Sequence, residues 1–276
     1  MNLIDRRSFL GRLAGGTAGA LGLFWMPTSR LAGISPPEPG PGADLAPRTV
    51  GLRSLGGRFV FDPPGLAIAP GETVTWLNMG DFHTVTSFHP DLAHLVGGEL
   101  PLRMPREAEP FHSGFLGLDA GSVFERSFPV EGVYDYFCQP HYNFGMVARL
   151  IVGEPAAGPA TTRPLSELPE AARRELPAVE DIQGPRGRSY EWASRVNGIL
   201  LLRTRDGAAG AAAEAVLASA SGDETLGQAL GGSGRERLRE RLEALAGGVR
   251  EGAPYEELVR RADAAKDVLR SPGGSN

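Results

Sequence analysis

Along residues 48–153 the chain breaks into short runs of apolar and β-branched positions, each closed by glycine or proline. Phe59-Val60-Phe61 and Leu66-Ala67-Ile68 are two such runs. Thr73-Val74-Thr75-Trp76-Leu77 alternates with the two-residue period of a strand whose faces differ. His83–Ser87, Val123–Phe128, Tyr134–Phe137 and Val147–Val152 continue the series. Pro70-Gly71-Glu72 and Val130-Glu131-Gly132 carry residues that favour turns and launch the runs that follow them. Short strands in sequence with turn signals between them predict a β-sandwich.

The period changes near Leu165. Leu238, Leu242, Leu245 and Val249 fall on one face of a helix that is charged elsewhere. Leu258, Ala262, Ala265 and Leu269 repeat the pattern, and Trp192, Val196, Ile199 and Leu200 give a third face within Tyr190–Arg203. Residues 165–276 therefore read as a helical domain of unassigned role, packing on itself or on the sandwich. Pro-rich stretches at 34–47 and 154–164 read as linkers on either side of the β-domain at 48–153. The fold class expected is mainly β, a Greek-key sandwich followed by a small α-helical domain.

Composition removes several function classes. A net charge of −5 with no basic stripe argues against nucleic acid as a partner. Lys266 is the single lysine among 28 basic residues, which reads as compositional bias. Cys138 is the single cysteine, so no internal disulfide framework and no multi-cysteine zinc or iron–sulfur site exists.

The N-terminus, residues 1–33, carries Arg6-Arg7 ahead of Ser8-Phe9-Leu10 and a weakly apolar Gly/Ala/Leu run to Trp25. That order resembles a twin-arginine export signal, which carries proteins already folded. Export to the periplasm or another extracytoplasmic space is the expectation. Membrane association through an uncleaved N-terminal segment remains open beside it, because no Ala-x-Ala cleavage site follows the apolar run.

The chemistry gathers in two segments. Cys138-Gln139-Pro140-His141-Tyr142-Asn143-Phe144-Gly145-Met146 offers a thiolate, an imidazole and a thioether in one loop between two predicted strands. Such donors suit copper cycling between Cu(II) and Cu(I) better than any hard cation. Two histidines and one cysteine with a distant axial methionine make a blue-copper electron-transfer site. His83, at a loop-to-strand junction after Trp76-Leu77-Asn78, supplies the missing histidine. The candidate metal set is thus His83, Cys138, His141 and Met146.

These residues also carry a family resemblance. Residues 48–153 resemble the plastocyanin-like cupredoxins, through GETVTWLN, FHTVTS, FHSGFL, GVYDYFCQPH and GMVARLIV. The resemblance implies one type 1 copper ion on the four candidate ligands and single-electron transfer with little reorganisation. It implies that His141 brings its ring edge to an apolar surface as the electron port. Pro140, Tyr142, Phe144, Met79 and Phe82 are the residues expected to form that surface. It does not extend to residues 165–276.

One departure is an insertion from Phe88 to Glu109 containing His89, His94 and Met104, with His112 soon after. These spacings match no described zinc or copper template, so an exposed loop is the simpler expectation than a second metal site. Residues 48–153 hold 7 Arg against 11 Asp and Glu, an excess of acid that suits a basic redox partner but that solubility explains slightly better. The function expected is an exported electron carrier, not an enzyme. Its partners would be redox proteins, a cytochrome or a membrane redox complex. Copper storage or delivery, and an electron-entry subunit of a larger copper enzyme, are the alternatives.

Overall fold

A computed structural model of the chain describes residues 45–271 apart from 118–119, 156 and 206–207. The expected export signal and nearly all of the first Pro-rich segment lie outside the described residues. Among the described residues, eight strands form two four-stranded sheets. They are β1 (Thr49–Leu55), β2 (Arg58–Asp62), β3 (Gly65–Ile68), β4 (Thr73–Asn78), β5 (Thr86–Ser87), β6 (Val123–Ser127), β7 (Gly132–Phe137) and β8 (Val147–Val152). One sheet runs β2-β1-β4-β6 and the other β3-β8-β7-β5. The β1–β4 and β3–β8 pairs are parallel and the remaining pairs antiparallel. This is the cupredoxin sandwich.

The pleat decides what each strand faces. Val74 and Trp76 of β4, Tyr134 and Tyr136 of β7, and Ala148, Leu150 and Val152 of β8 point into the space between the sheets. There Trp76 meets Phe111, Phe124, Phe128 and Tyr136. β1 was not expected from the sequence. Gly51 and Arg53 interrupt its apolar pattern, and it is held as a strand by pairing with β2 on one side and β4 on the other. His83 falls just outside β5, in a lone antiparallel bridge to Leu116.

The outward faces are covered as well. Among the described residues, seven helices follow: α1 (Pro159–Thr162), α2 (Glu170–Glu175), α3 (Val179–Gln183), α4 (Pro185–Thr204), α5 (Ala209–Gly222), α6 (Glu224–Arg250, broken at Gly231) and α7 (Tyr255–Arg270). The long helices bury the three expected apolar faces around one core, which also takes in Leu77 from the outer side of β4. Val133 and Ile151 of the second sheet pack on α1 and α3, while Phe137 and Val147 pack on α2. Every position of β7 and β8 is buried for that reason. Residues 154–164, expected as a linker, contain α1, and Ala160 is buried. No helix among the described residues is long and apolar enough to cross a membrane.

Two buried ion networks join the layers. Under α1–α3, Asp135 of β7 binds Arg149 of β8 at 2.7 Å and Arg103 of the insertion at 2.8 Å. Arg103 donates on to the carbonyls of Ala160 and Arg163, and Arg149 to that of Pro177. Under α4 and α7, the carboxylate of Asp62 accepts from Lys266 Nζ at 2.7 Å and from Arg270 at 2.8 Å. Lys266 also meets Asn197 Oδ1 at 2.9 Å and Asp263 at 3.1 Å. Burial alone would raise the Asp62 carboxyl; the charges of Lys266 and Arg270 override it and hold the group well below the ordinary carboxylate range. The single lysine is therefore a wholly buried link between helix and sheet. α4 lies so close to the first strand that a Cβ at Gly198 would stand 2.3 Å from the Pro47 carbonyl oxygen.

Removing Lys266 takes one charged donor from the buried Asp62 carboxylate, which keeps Arg270, and leaves Asn197 Oδ1 without that donor. Lys266→Ala is expected to lower unfolding stability in urea by about 1.5–3 kcal/mol, the size of a lost hydrogen bond to a charged group. The sheet and helix signals are expected to move together in one transition. Because the Asp62 carboxyl is depressed, its contribution is present above the ordinary carboxylate range and is lost as pH falls below it.

Candidate metal centre

Cys138 follows directly on β7, and the chain then turns back on itself. Its amide donates to the Met146 carbonyl at 3.0 Å, which sets Met146 across from it at the start of β8. His141 donates to the Cys138 carbonyl at 3.1 Å, and Phe144 and Met146 both donate to the His141 carbonyl. A 3-10 turn at Tyr142–Phe144 ends on Gly145, whose φ of 91° lies in the left-handed region that glycine tolerates. A side chain there would also press on the Ala171 carbonyl of α2 at 3.0 Å. The loop is short, closed by its own hydrogen bonds and backed by a helix.

The opposite wall is the turn before β5. Asn78 donates to the Asp81 carbonyl, Ser54 donates to the Asp81 carboxylate at 2.6 Å, and Phe82 donates its amide to the same carboxylate. This turn delivers His83 into the interior, where it is fully buried. Cys138 Sγ lies 3.6 Å from His83 Nδ1 and 3.6 Å from His141 Nδ1, and the two nitrogens are 3.3 Å apart. Among the described residues this is the one cluster of three metal-capable side chains. Met146 is fully buried in the same core.

The donors fit a metal ion. The centre of a triangle with these edges lies about 2 Å from each corner (edge divided by √3), the length of ordinary bonds from metal to imidazole nitrogen. Two imidazoles with one thiolate in a trigonal set are the donors of blue-copper sites. The Thr84 amide donates to Cys138 Sγ at 3.3 Å, an outer hydrogen bond of the kind that orients a ligand and tunes a metal.

The protonation states are set by burial. Burial, helped by the charge of His141, pulls His83 down to about 4. Burial lowers His141 too, against the opposing charge of Asp81. Burial pushes the Cys138 thiol up to about 11, with the Thr84 amide resisting. At neutral pH, without a metal ion, these shifts make the donors a thiol and two neutral imidazoles.

The surroundings differ in part from expectation. The His141 ring is stacked on Phe59 of β2, with centroids 3.6 Å apart and planes within 5°. Nothing in the sequence around Phe59 marked it, because the contact crosses between strands remote in the chain. Phe144 is 70% exposed beside it, and Pro140 is exposed. Phe82 is exposed and stacks on Phe115, a residue the expected patch lacked. Tyr142 turns inward onto Phe88 and Phe137, and Met79 packs against Gly51 and the helical core. Both are half-buried.

The insertion is folded in. Met104 is a fully buried core residue, and Phe88 and Leu100 fill the layer beneath α2. His89 accepts from the Asp91 amide at the start of a 3-10 turn, His94 is exposed on that turn, and His112 meets the Thr86 hydroxyl. They do not converge.

The family model described as copper binding proteins, plastocyanin/azurin family, matches residues 49–153. A plastocyanin from Scenedesmus fuscus is 35% identical over 104 residues, covering 38% of this chain and 97% of that protein. The chain belongs to the plastocyanin/azurin family. Copper is accordingly the metal. A pseudoazurin from Methylorubrum extorquens is 30% identical over 99 residues, 36% of this chain and 55% of that protein. The crystal structure of a pseudoazurin from Methylobacterium extorquens AM1 is 24% identical, covers 46% of this chain and 89% of that one, and superposes with a TM-score of 0.34. The match to the family model ends at Gly153, so the helices stand outside it.

The pKa values give a signed expectation for the metal-free cupredoxin. His83 takes up a proton near 6.5 when unfolded but near 4 when folded, so stability is expected to fall as pH drops through that window. Cys138 ionises near 9 when unfolded and near 11 when folded, so stability is expected to fall again as pH rises between them. Urea titrations at a series of pH values check both limbs. Copper uptake at pH 7 is expected to release about one proton, from the thiol, measured in a weakly buffered indicator solution.

Proposed function

We propose that the protein is an exported carrier of single electrons, working through one type 1 copper ion held by His83, Cys138 and His141 with Met146 as the axial ligand. When bound, the copper supplies a one-electron couple, Cu(I)/Cu(II). The observation that carries this reading is the convergence of one thiol and two imidazole nitrogens within 3.6 Å in a buried, hydrogen-bonded frame.

The residues divide the work. Cys138 and His83 hold the ion inside, away from water. The loop's internal hydrogen bonds and α2 hold His141 and Met146 in place through a change of charge, so little rearrangement opposes transfer. His141, part-exposed and stacked on Phe59, is the port through which an electron enters and leaves. Phe144, Pro140 and the Phe82–Phe115 pair give a partner an apolar surface near that port. Redox proteins, such as a cytochrome or a membrane redox complex, are the partners such a surface suits. The Arg6-Arg7 signal supports delivery to the periplasm after folding, and residues 1–33 could equally remain as a membrane anchor.

An intense visible band is expected in the oxidised, copper-loaded protein and is expected to vanish in Cys138→Ser. A protein that binds Cu(I) without colour or reversible oxidation would instead indicate storage or delivery.

A further inference from the structure

We propose that His112 is a positioning residue that tunes the metal centre through two buried threonine hydroxyls ending at the Cys138 sulfur. The proposal rests on the copper reading above. His112 is not a ligand; it acts through Thr86 and Thr84.

The chain of contacts is continuous. His112 Nδ1 lies 2.8 Å from Thr86 Oγ1, and Thr86 Oγ1 lies 3.1 Å from Thr84 Oγ1. The Gln139 amide donates to Thr84 Oγ1 at 2.7 Å, and the Thr84 amide donates to Cys138 Sγ. Thr84 and Thr86 are both wholly buried and, two residues apart on an extended segment, share one face. His112 is half-buried and bridges Thr86 across the pair of segments.

The ring nitrogen at the end of this chain sets the direction of the rest. The Gln139 N–H takes one of the two lone pairs of the Thr84 oxygen; with neutral His112 in the tautomer whose Nδ1 accepts, the Thr86 proton points to Nδ1 and the Thr84 proton to Thr86. Protonated His112 is a donor at both ring nitrogens. Nδ1 then donates to Thr86, the Thr86 proton turns to Thr84, and the Thr84 proton needs a new acceptor. Cys138 Sγ, which already accepts the amide of the same residue at 3.3 Å, is the acceptor proposed for it. Burial raises the Cys138 thiol, and both the amide and the side chain of Thr84 oppose that rise. A second hydrogen bond at the sulfur withdraws charge from it and favours the reduced state. By linkage, reduction in turn tightens proton binding at His112, so the electron goes to the centre and the proton to the imidazole.

The surroundings of His112 move its response to the acid side of an ordinary imidazole. Burial, and then the charge of His94 facing it from the insertion, lower its pKa below 6.5. Thr86 and Ser87 on the facing strand carry no charge. The insertion thus places a second titratable group against the relay.

The test is the midpoint potential of the copper-loaded protein between pH 8 and 5, in wild type, Thr86→Val and His112→Gln. The wild-type ratio of reduced to oxidised protein at fixed applied potential is expected to rise by about tenfold as His112 protonates, the size of one hydrogen bond to a charged group. Both variants are expected to lose that component, and any pH dependence common to all three belongs to His141. Separately, in the metal-free protein the Gln139 amide resonance is expected to follow the His112 titration in wild type and to ignore it in Thr86→Val. Identical potential curves in wild type and Thr86→Val, or a Gln139 amide blind to His112, would overturn the relay. A protein that takes up no copper overturns the function proposed above, and the metal-free titration then decides the relay alone.

Discussion

One sulfur atom organises the functional end of this molecule. Cys138 meets His83 from 55 residues earlier in the chain, and the Thr84 amide beside it closes the same junction. For the sulfur to sit there, β7 must end where it does, the loop must fold back to pair Cys138 with Met146, and the Asn78–Phe82 turn must push His83 inward. The loop closes on backbone hydrogen bonds and the turn on bonds from side chains, and an unmade bond in the buried part of this frame is costly. The same frame holds the three donor atoms within 3.6 Å of one another. A rigid frame of this kind is what an electron carrier requires, because the protein around the ion should not have to move when the charge changes.

The outer layers serve the same rigidity by other means. A sandwich with one solvated face on each sheet would show alternating polar positions on β7 and β8, and here there are none exposed. Helices on both sides bury Val133, Phe137, Val147 and Ile151 on one flank and Leu77 on the other. Burying Asp62 and Asp135 along with them would be prohibitive without partners. Lys266 and Arg270 answer the first, Arg103 and Arg149 the second. α2 also presses directly on Gly145 beside Met146, so the helical layer bears on the metal loop itself.

Much of this was legible in the residues. The turn-punctuated strands from Phe59 onward, the three helical faces after Leu165 and the Cys-x-x-His-x-x-x-x-Met loop are local patterns, and local patterns survive in a linear sequence. β1 was hidden because Gly51 and Arg53 break its periodicity, and it is a strand through its neighbours. Lys266 looked like a compositional accident, since nothing in the sequence states that a helix will be laid over Asp62. Phe59, Tyr142 and Met79 were assigned or overlooked on proximity along the chain, and the packing redistributed them.

The sequence by itself determined the donor types, the loop that holds three of them and the alternation that makes a sandwich, because each depends on spacings of a few residues. Only the tertiary structure decided that Phe59 stacks on His141, that Met104 is core and that the helices close over both sheets. Those outcomes depend on which distant surfaces bury each other. Burial free energy depends on area and shape, and no local pattern encodes its partner.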